Sequence, residues 1–394
     1  MSQIDSLAGA GVAAVSHSDS ELTLRFSDGV DVRCNRFWLR DNCPSDGERA
    51  SLFRSFSVAE LADDLTIVDS AMVAARVKVA FSDGTTDDFD PGWLRHHAAP
   101  SADSDGCVPW RAGFEPEAFG RDELGHESDR HHDLLEAVAR SGCALVSGLH
   151  GQAATEQLAG LLGPIRETDF GRVFDIVTEP QPFTPSQSAI ALDPHTDDPY
   201  RYTPSGVSIL HCVMPSDGAG GESMIVDGLA VAESIRRDNR EAFELLSTVA
   251  VPFVHRRTES VEQGGDVYLR AEAPIIAVDA SGRVCGVRFH ERSRATQRLD
   301  ADLAERFYPA LMMFSRAVLG DGSVWRRHLA AGEAIVYDNQ RVLHARSGFE
   351  GAQTRRHLRL CTVDRDQVHS RLRRLRERYA PGTENALLPS GNLS

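Results

Sequence analysis

The pattern His-x-Asp occurs three times in the 394-residue chain, as His17-Ser18-Asp19, His131-His132-Asp133 and His195-Thr196-Asp197. Two imidazoles and one carboxylate on one face of a metal leave adjacent coordination positions open, enough for a bidentate co-substrate and oxygen. The trace of such a triad is His-x-Asp followed much later by a lone His, and three matches are no more than composition alone produces. Context separates them. The first lies in a polar N-terminal stretch and the second on a predicted surface helix, where solvated side chains are expected. The third stands between Pro194 and Pro199, just ahead of an apolar run over 207–213, and is expected in a loop at a strand mouth, where ligands converge. The distal partner is then His344, in the stretch Tyr337-Asp338-Asn339-Gln340-Arg341-Val342-Leu343-His344.

Twelve residues beyond His344 comes Arg356, preceded by Arg355. A guanidinium fork holds a carboxylate bidentately, which suits the far end of 2-oxoglutarate. The short separation predicts that the strand carrying the arginine returns beside the strand carrying His344. Ser223, after Gly220-Gly221-Glu222, offers the same carboxylate a hydroxyl donor. The chain has no Gly-rich phosphate loop.

The elements that must position these groups fall into two parts. Residues 21–32 and 76–89 both read as strand, Asp-Gly turn, strand. They also resemble each other: Phe26-Ser27-Asp28-Gly29 recurs as Phe81-Ser82-Asp83-Gly84, and Trp38-Leu39-Arg40 as Trp93-Leu94-Arg95. This predicts a small β-domain over 1–100 built from two related units. A Pro-, Ser- and Gly-rich linker is expected over 101–125, followed by a catalytic domain over 126–394. There, helical spacing marks 129–141, 154–162 and 299–318, while short strand-like runs lie at 143–149, 207–213, 224–226, 274–278, 284–289, 334–337 and 357–363. Many short strands with flanking helices imply a mainly β jelly-roll, not a doubly wound sheet.

Composition narrows the class further. A formal net charge of −16 argues against a nucleic-acid partner. No apolar run is long enough for a membrane span, and the N-terminus carries no basic leader, so a cytoplasmic protein is expected. The seven cysteines are scattered singly, which suits reduced thiols.

The runs HTDDPYRYTPSGVSILHCV, GGESMIVDGLAVAESI, YDNQRVLHAR and VDRDQVHSRL, with FWLRDNCP and PGWL near the N-terminus, resemble the γ-butyrobetaine and trimethyllysine hydroxylase branch of the taurine-dioxygenase-like oxygenases. The resemblance covers most of the chain in order. It implies a double-stranded β-helix core, a homodimer, iron(II) at His195, Asp197 and His344, 2-oxoglutarate at Arg356, and oxygen-dependent hydroxylation of a small zwitterion. Family members with zinc in the N-terminal domain use further cysteines after the Cys43 position; Ser45, Gly47 and Glu48 follow here, so no N-terminal zinc is expected.

The betaine hydroxylases of this branch cage a trimethylammonium group with aromatic rings, each good contact being worth roughly 0.5–2 kcal/mol. Phe170 and Phe174 fall at two cage positions, Ile190 and Thr362 replace aromatics at two others, and Asp198 stands where the family often has Tyr. Tyr200, Tyr202 and Phe183 are candidates to rebuild the cage, with Asp198 pairing directly with the cation. At the acid end the family's amide pair gives way to Arg288-Phe289-His290-Glu291-Arg292. The extra donors of Arg288, His290 and Arg292 suggest an acid with more oxygens than a carboxylate, and 2-(trimethylammonio)ethylphosphonate is the favoured expectation. The alternatives are γ-butyrobetaine as substrate, or, from the triad alone, a zinc hydrolase or a non-catalytic metal-binding barrel.

Overall fold

The computed structural model describes residues 11–48, 53–54, 56–98, 108–151, 153–178, 185–216, 218–257, 266–320, 324–349, 356–381, 383–386 and 388. Arg355, Phe183 and Cys107 lie outside the described residues. The chain divides into two compact units, Met1–Ser104 and Asp105–Ser394.

In the smaller unit the sequence repeat becomes a structural one. Strands Glu21–Phe26 and Asp31–Asn35 form one antiparallel hairpin, Arg76–Phe81 and Thr86–Phe89 the other, and each leads into a short helix, Arg36–Asp41 or Pro91–Ala98. Both turns need a left-handed residue, supplied by Gly29 (φ 85°) and Gly84 (φ 87°). The two halves are joined reciprocally: Arg40 of the first pairs with the turn residue Asp83 of the second at 2.7 Å, and Arg95 of the second pairs with Asp28 of the first at 2.7 Å. Trp38 stacks on its counterpart Trp93, with ring centroids 5.4 Å apart. Alternating Leu22, Leu24, Val77 and Val79 fill the core between them, and Cys43 is buried there as well.

The larger unit is a sandwich of two sheets. The major sheet runs in the order Phe174–Val177, His357–Val363, Val207–Met214, Glu333–Asp338, Cys143–Ser147, Glu117–Gly120, antiparallel except for its last pair. The minor sheet runs Leu192–His195, Val342–Arg346, Ser223–Asp227, Val324–Arg327, all antiparallel. Period-two alternation decides what each face meets. Ile335 and Tyr337 point inward to Ile225, Trp325 and Val342 of the other sheet, whereas Ala334 and Val336 point outward. The outer face of the major sheet is covered by helices Asp129–Ser141, Ala153–Leu162 and Arg365–Tyr379. That of the minor sheet is covered by Gly228–Asp238, Arg240–Thr248 and Ala301–Leu319. This is the jelly-roll with flanking helices that the strand spacing implied. No helix among the described residues is long and apolar enough to cross a membrane.

Several details depart from the sequence expectations. Within the stretch expected as linker, Glu117–Gly120 pairs in parallel with Cys143–Ser147 and Trp110 is buried, so this segment already belongs to the larger unit. His131 is not solvated: it is fully buried, its Nε2 2.7 Å from the Leu161 carbonyl oxygen and its Nδ1 accepting the Glu127 N–H at 3.1 Å. Burial holds its pKa below the usual value, which suits a neutral ring used to tie two helices together.

Candidate active site

His195 lies at the end of strand Leu192–His195, not in a loop, and its register partner on the neighbouring strand is His344. Pro194 interrupts that strand without penalty because it is an edge strand, whose outward N–H groups are not needed for pairing. Direct opposition brings the two imidazoles to 4.1 Å between ring centroids. The chain then turns and returns the Asp197 carboxylate, whose Oδ1 lies 3.7 Å from Nε2 of each histidine. Among the described residues these three form the one cluster of His, Cys, Asp and Glu whose ligand atoms converge, all within 4.8 Å of one another.

The donor set fits a divalent cation. His195 Nδ1 sits 2.8 Å from the Asp193 carbonyl oxygen, which fixes that nitrogen as donor and leaves Nε2 as a lone pair. Burial pushes the His344 pKa well below its usual value, so the ring is a neutral ligand. Burial also raises the Asp197 carboxyl, and among the described residues its only partners within ion-pair distance are the two histidines. A half-buried carboxylate so placed calls for a positive charge at the point where the three atoms meet.

Asn339 sets that turn. Fully buried, it accepts the Asp197 N–H at 2.7 Å and donates through Nδ2 to the carbonyls of Asp197 and Ser205, each at 3.1 Å. Asn339→Ala leaves these groups unpaired at about 1–3 kcal/mol each. Metal affinity is expected to fall roughly 10–100-fold, read by chelator competition, while loss of fold at 25 °C would contradict so local a role.

The triad opens on a cavity of about 490 Å³. Ser223 and Arg356 line it from opposite sheets. The strand after Arg356 belongs to the major sheet and pairs with Val207–Met214 and Phe174–Val177, so it does not return beside His344; the two elements approach the cavity from different layers. Arg356 is 6% exposed, and burial lowers its pKa to about 10, still a cation at neutral pH. Among the described residues no side chain or carbonyl takes its guanidinium, which leaves the fork free for a carboxylate.

Phe170, Phe174, Asp198, Tyr200, His290 and Arg292 also line the cavity. Tyr202 and Arg288 do not. Tyr202 is 91% exposed, because the turn after Asp198 directs it to solvent. Arg288 turns its guanidinium onto the carbonyls of Pro199, Arg201 and Tyr202 at 3.3–3.5 Å, closing that turn from outside the cavity wall. Asp198 itself adopts φ 55°, uncommon for a residue with a side chain, and accepts from Tyr200 Oη at 2.9 Å and Ser205 Oγ at 2.8 Å. Burial, then the Asp197 charge, raises its pKa. His290 lies 4.5 Å from His195 between ring centroids, its pKa pushed down to about 2 by burial, and so contributes a neutral ring.

Two residues of the wall, and one that stands behind it, carried no sequence signal. His255, from strand Val251–Arg257, stacks on Tyr200 at 4.7 Å. Arg346 donates to the carbonyls of Ser186, Ser188 and Ile190 at 2.6–2.7 Å and pins the segment leading to His195. Asp169 gathers Arg201, His255 and Arg257 around one carboxylate.

Residues 108–362 match the family model described as taurine catabolism dioxygenase TauD, TfdA family, and residues 13–95 match the N-terminal domain of γ-butyrobetaine hydroxylase-like proteins. The chain belongs to the TauD, TfdA dioxygenase family. It is 31% identical to γ-butyrobetaine dioxygenase of Pseudomonas sp. strain AK-1, over 92% of this chain and 95% of that enzyme. Human γ-butyrobetaine dioxygenase is 26% identical over 88% of this chain and 92% of its own. Bovine mitochondrial trimethyllysine dioxygenase is 27% identical over 89% and 84%. As a TauD, TfdA family member the chain is an iron(II)- and 2-oxoglutarate-dependent dioxygenase, and the hydrolase and inert-barrel alternatives fall away.

Proposed function

We propose that the chain hydroxylates an aliphatic C–H of a small zwitterion with a quaternary ammonium group at one end and an acid at the other. In this reading His195, Asp197 and His344 hold iron(II), and Arg356 with Ser223 holds the distal carboxylate of 2-oxoglutarate. The observation that carries the substrate class is one wall of the triad's cavity, where the rings of Phe170, Phe174, Tyr200 and His255 stand beside the buried Asp198 carboxylate. A cation without hydrogen-bond donors is recognised by ring faces and a carboxylate, and by little else. When bound, iron(II) would activate dioxygen, which is the oxidant for the unactivated C–H, and 2-oxoglutarate would supply the other two electrons as it is oxidised to succinate and carbon dioxide. The protein's share is orientation: the cage fixes one end, basic side chains fix the other, and the buried walls keep water from the reacting carbon.

Two acids suit the second end. The 31% identical relative acts, by its name, on γ-butyrobetaine, which puts a carboxylate there. The phosphonate expectation loses Arg288, which serves the backbone, but keeps Arg292 and His290 on the cavity wall. It is further supported by Arg172, which lines the same cavity as Arg292 and Arg356; Arg166 and Arg346, also in the lining, are engaged with Asp364 and with backbone carbonyls. Succinate release by the iron-loaded enzyme, measured side by side with γ-butyrobetaine, trimethyllysine and 2-(trimethylammonio)ethylphosphonate, decides between them. Stimulation by a quaternary amine and not by its tert-butyl isostere is the expected result; equal response to both would remove the cation-cage reading.

A further inference from the structure

We propose that Asp169 is a positioning residue that fastens the cation-binding wall and thereby sets the affinity for the quaternary ammonium end of the substrate; this rests on the function proposed above. Asp169 occupies the tight turn closed by Thr168 and Gly171, where Gly171 has φ 83°. Its carboxylate is 10% exposed and faces three basic side chains from two other parts of the fold. Arg201, from the turn after the triad, is hydrogen-bonded to Oδ1, while His255 Nε2 and Arg257 Nη1, from strand Val251–Arg257, lie 3.5 and 3.6 Å from Oδ2. Arg257 also donates to the Asp169 backbone carbonyl at 2.9 Å.

Each of these contacts ends on the wall. Phe170 follows Asp169 directly, and the Arg257 guanidinium lies 5.1 Å from the Phe170 ring centroid. His255 stacks on Tyr200, whose hydroxyl donates to Asp198. Arg201 Nε is 3.4 Å from Asp198 Oδ2. Phe170, His255, Tyr200 and Asp198 therefore all lean on one carboxylate that does not itself line the cavity. Burial raises the Asp169 pKa, but the neighbouring His255 ring and the Arg201 charge outweigh it and hold the carboxyl below its usual value. Removing that charge has two consequences for a cationic ligand. The turn and the strand lose their common anchor, and two guanidinium groups next to the cage lose a counter-charge.

In the iron-loaded full-length enzyme, Asp169→Asn is expected to raise KM for the best quaternary amine of the panel about tenfold, or ~1.4 kcal/mol. KM for 2-oxoglutarate and kcat should stay within about threefold, as for a loss confined to substrate binding. Asp169→Glu should recover part of the shift. Amide hydrogen exchange should quicken together in 168–171 and 251–257. Arg201→Gln, which removes one arm without exposing a bare cation cluster, is expected to move KM the same way by less, and it serves if Asp169→Asn does not fold. Unchanged KM and unchanged exchange would overturn the proposal. So would a uniform rise in both KM values with falling kcat, since that marks general damage. If the wild-type enzyme does not respond to any quaternary amine, the substrate reading fails, and exchange alone judges Asp169: coupled loosening of the two segments supports the anchor, and independence overturns it.

Discussion

Asp197→Ala is expected to lower 2-oxoglutarate turnover by on the order of a thousandfold or more and to strip iron from the purified protein, while leaving the fold intact. The asymmetry follows from where Asp197 stands. It is the sole carboxylate of the triad, its Oδ1 sits equidistant from Nε2 of His195 and His344, and its backbone is independently held by Asn339. Deleting the side chain removes the one formal negative charge that favours a dication over two neutral imidazoles. It disturbs no core packing, because the carboxylate faces the cavity. The apoprotein is expected to keep its stability, since the carboxyl is part-exposed on the cavity wall and packs against no core side chain. Iron content by a colorimetric chelator, succinate release and thermal unfolding separate the effects; an alanine variant retaining iron and more than about a tenth of wild-type turnover would remove Asp197 from the metal site.

The features legible in the sequence are those written in short-range pattern. The Asp-Gly turns and the spaced Trp-Leu-Arg motif announce the two halves of the small unit, because a left-handed turn residue and a hairpin leave local marks. The central strand Val207–Met214 shows as an apolar run because both of its faces are covered. The edge strand Leu192–His195 does not, because Asp193 and Pro194 break its pattern; only its pairing with Val342–Arg346 makes it a strand. Helix Arg365–Tyr379 is hidden by its arginines. Its buried positions, Val368, Leu372 and Leu375, have the right spacing but are outnumbered, and one of the buried side chains is Arg376, tied to Glu136 at 2.5 Å.

The site divides along the same line. His195, Asp197, His344 and Arg356 stand out as candidates in the sequence because the chemistry proposed for them depends on residue type at a fixed interval, and the structure brings the first three together with Arg356 on the same cavity. Tyr202 and Arg288 were misread because side-chain direction within an irregular turn is set by contacts no sequence spacing encodes: the φ of 55° at Asp198 reverses the chain, turns Tyr202 outward and presents carbonyls to Arg288. His255 and Asp169 were missed because their partners are distant in sequence and their pairing exists only once the strand Val251–Arg257 lies against the 168–171 turn.

Replacing Arg356 with methionine tests the co-substrate end with comparable force. Its guanidinium is 6% exposed, remains protonated because burial lowers its pKa only to about 10, and has no partner among the described residues. An unpaired buried cation is unfavourable by itself, so the pocket is arranged for a carboxylate that arrives with the co-substrate. Two charge-assisted hydrogen bonds at about 1.5–3 kcal/mol each make a loss of roughly a hundredfold or more in the apparent affinity for 2-oxoglutarate the expected result. Stability should hold or rise, because methionine fills the space and the burial of the charge is relieved. Ile176, Leu210 and Leu358 line the same cavity, so the variant's site becomes apolar at that end. A 2-oxo acid of equal length that ends in a methyl group should then support succinate-free decarboxylation better in Arg356→Met than in the wild type. That reversal of preference is what a carboxylate-binding role requires and what a merely structural arginine would not produce; an unchanged preference, with 2-oxoglutarate affinity intact, would move the co-substrate anchor elsewhere in the cavity, to the neighbouring Arg346 or Arg292.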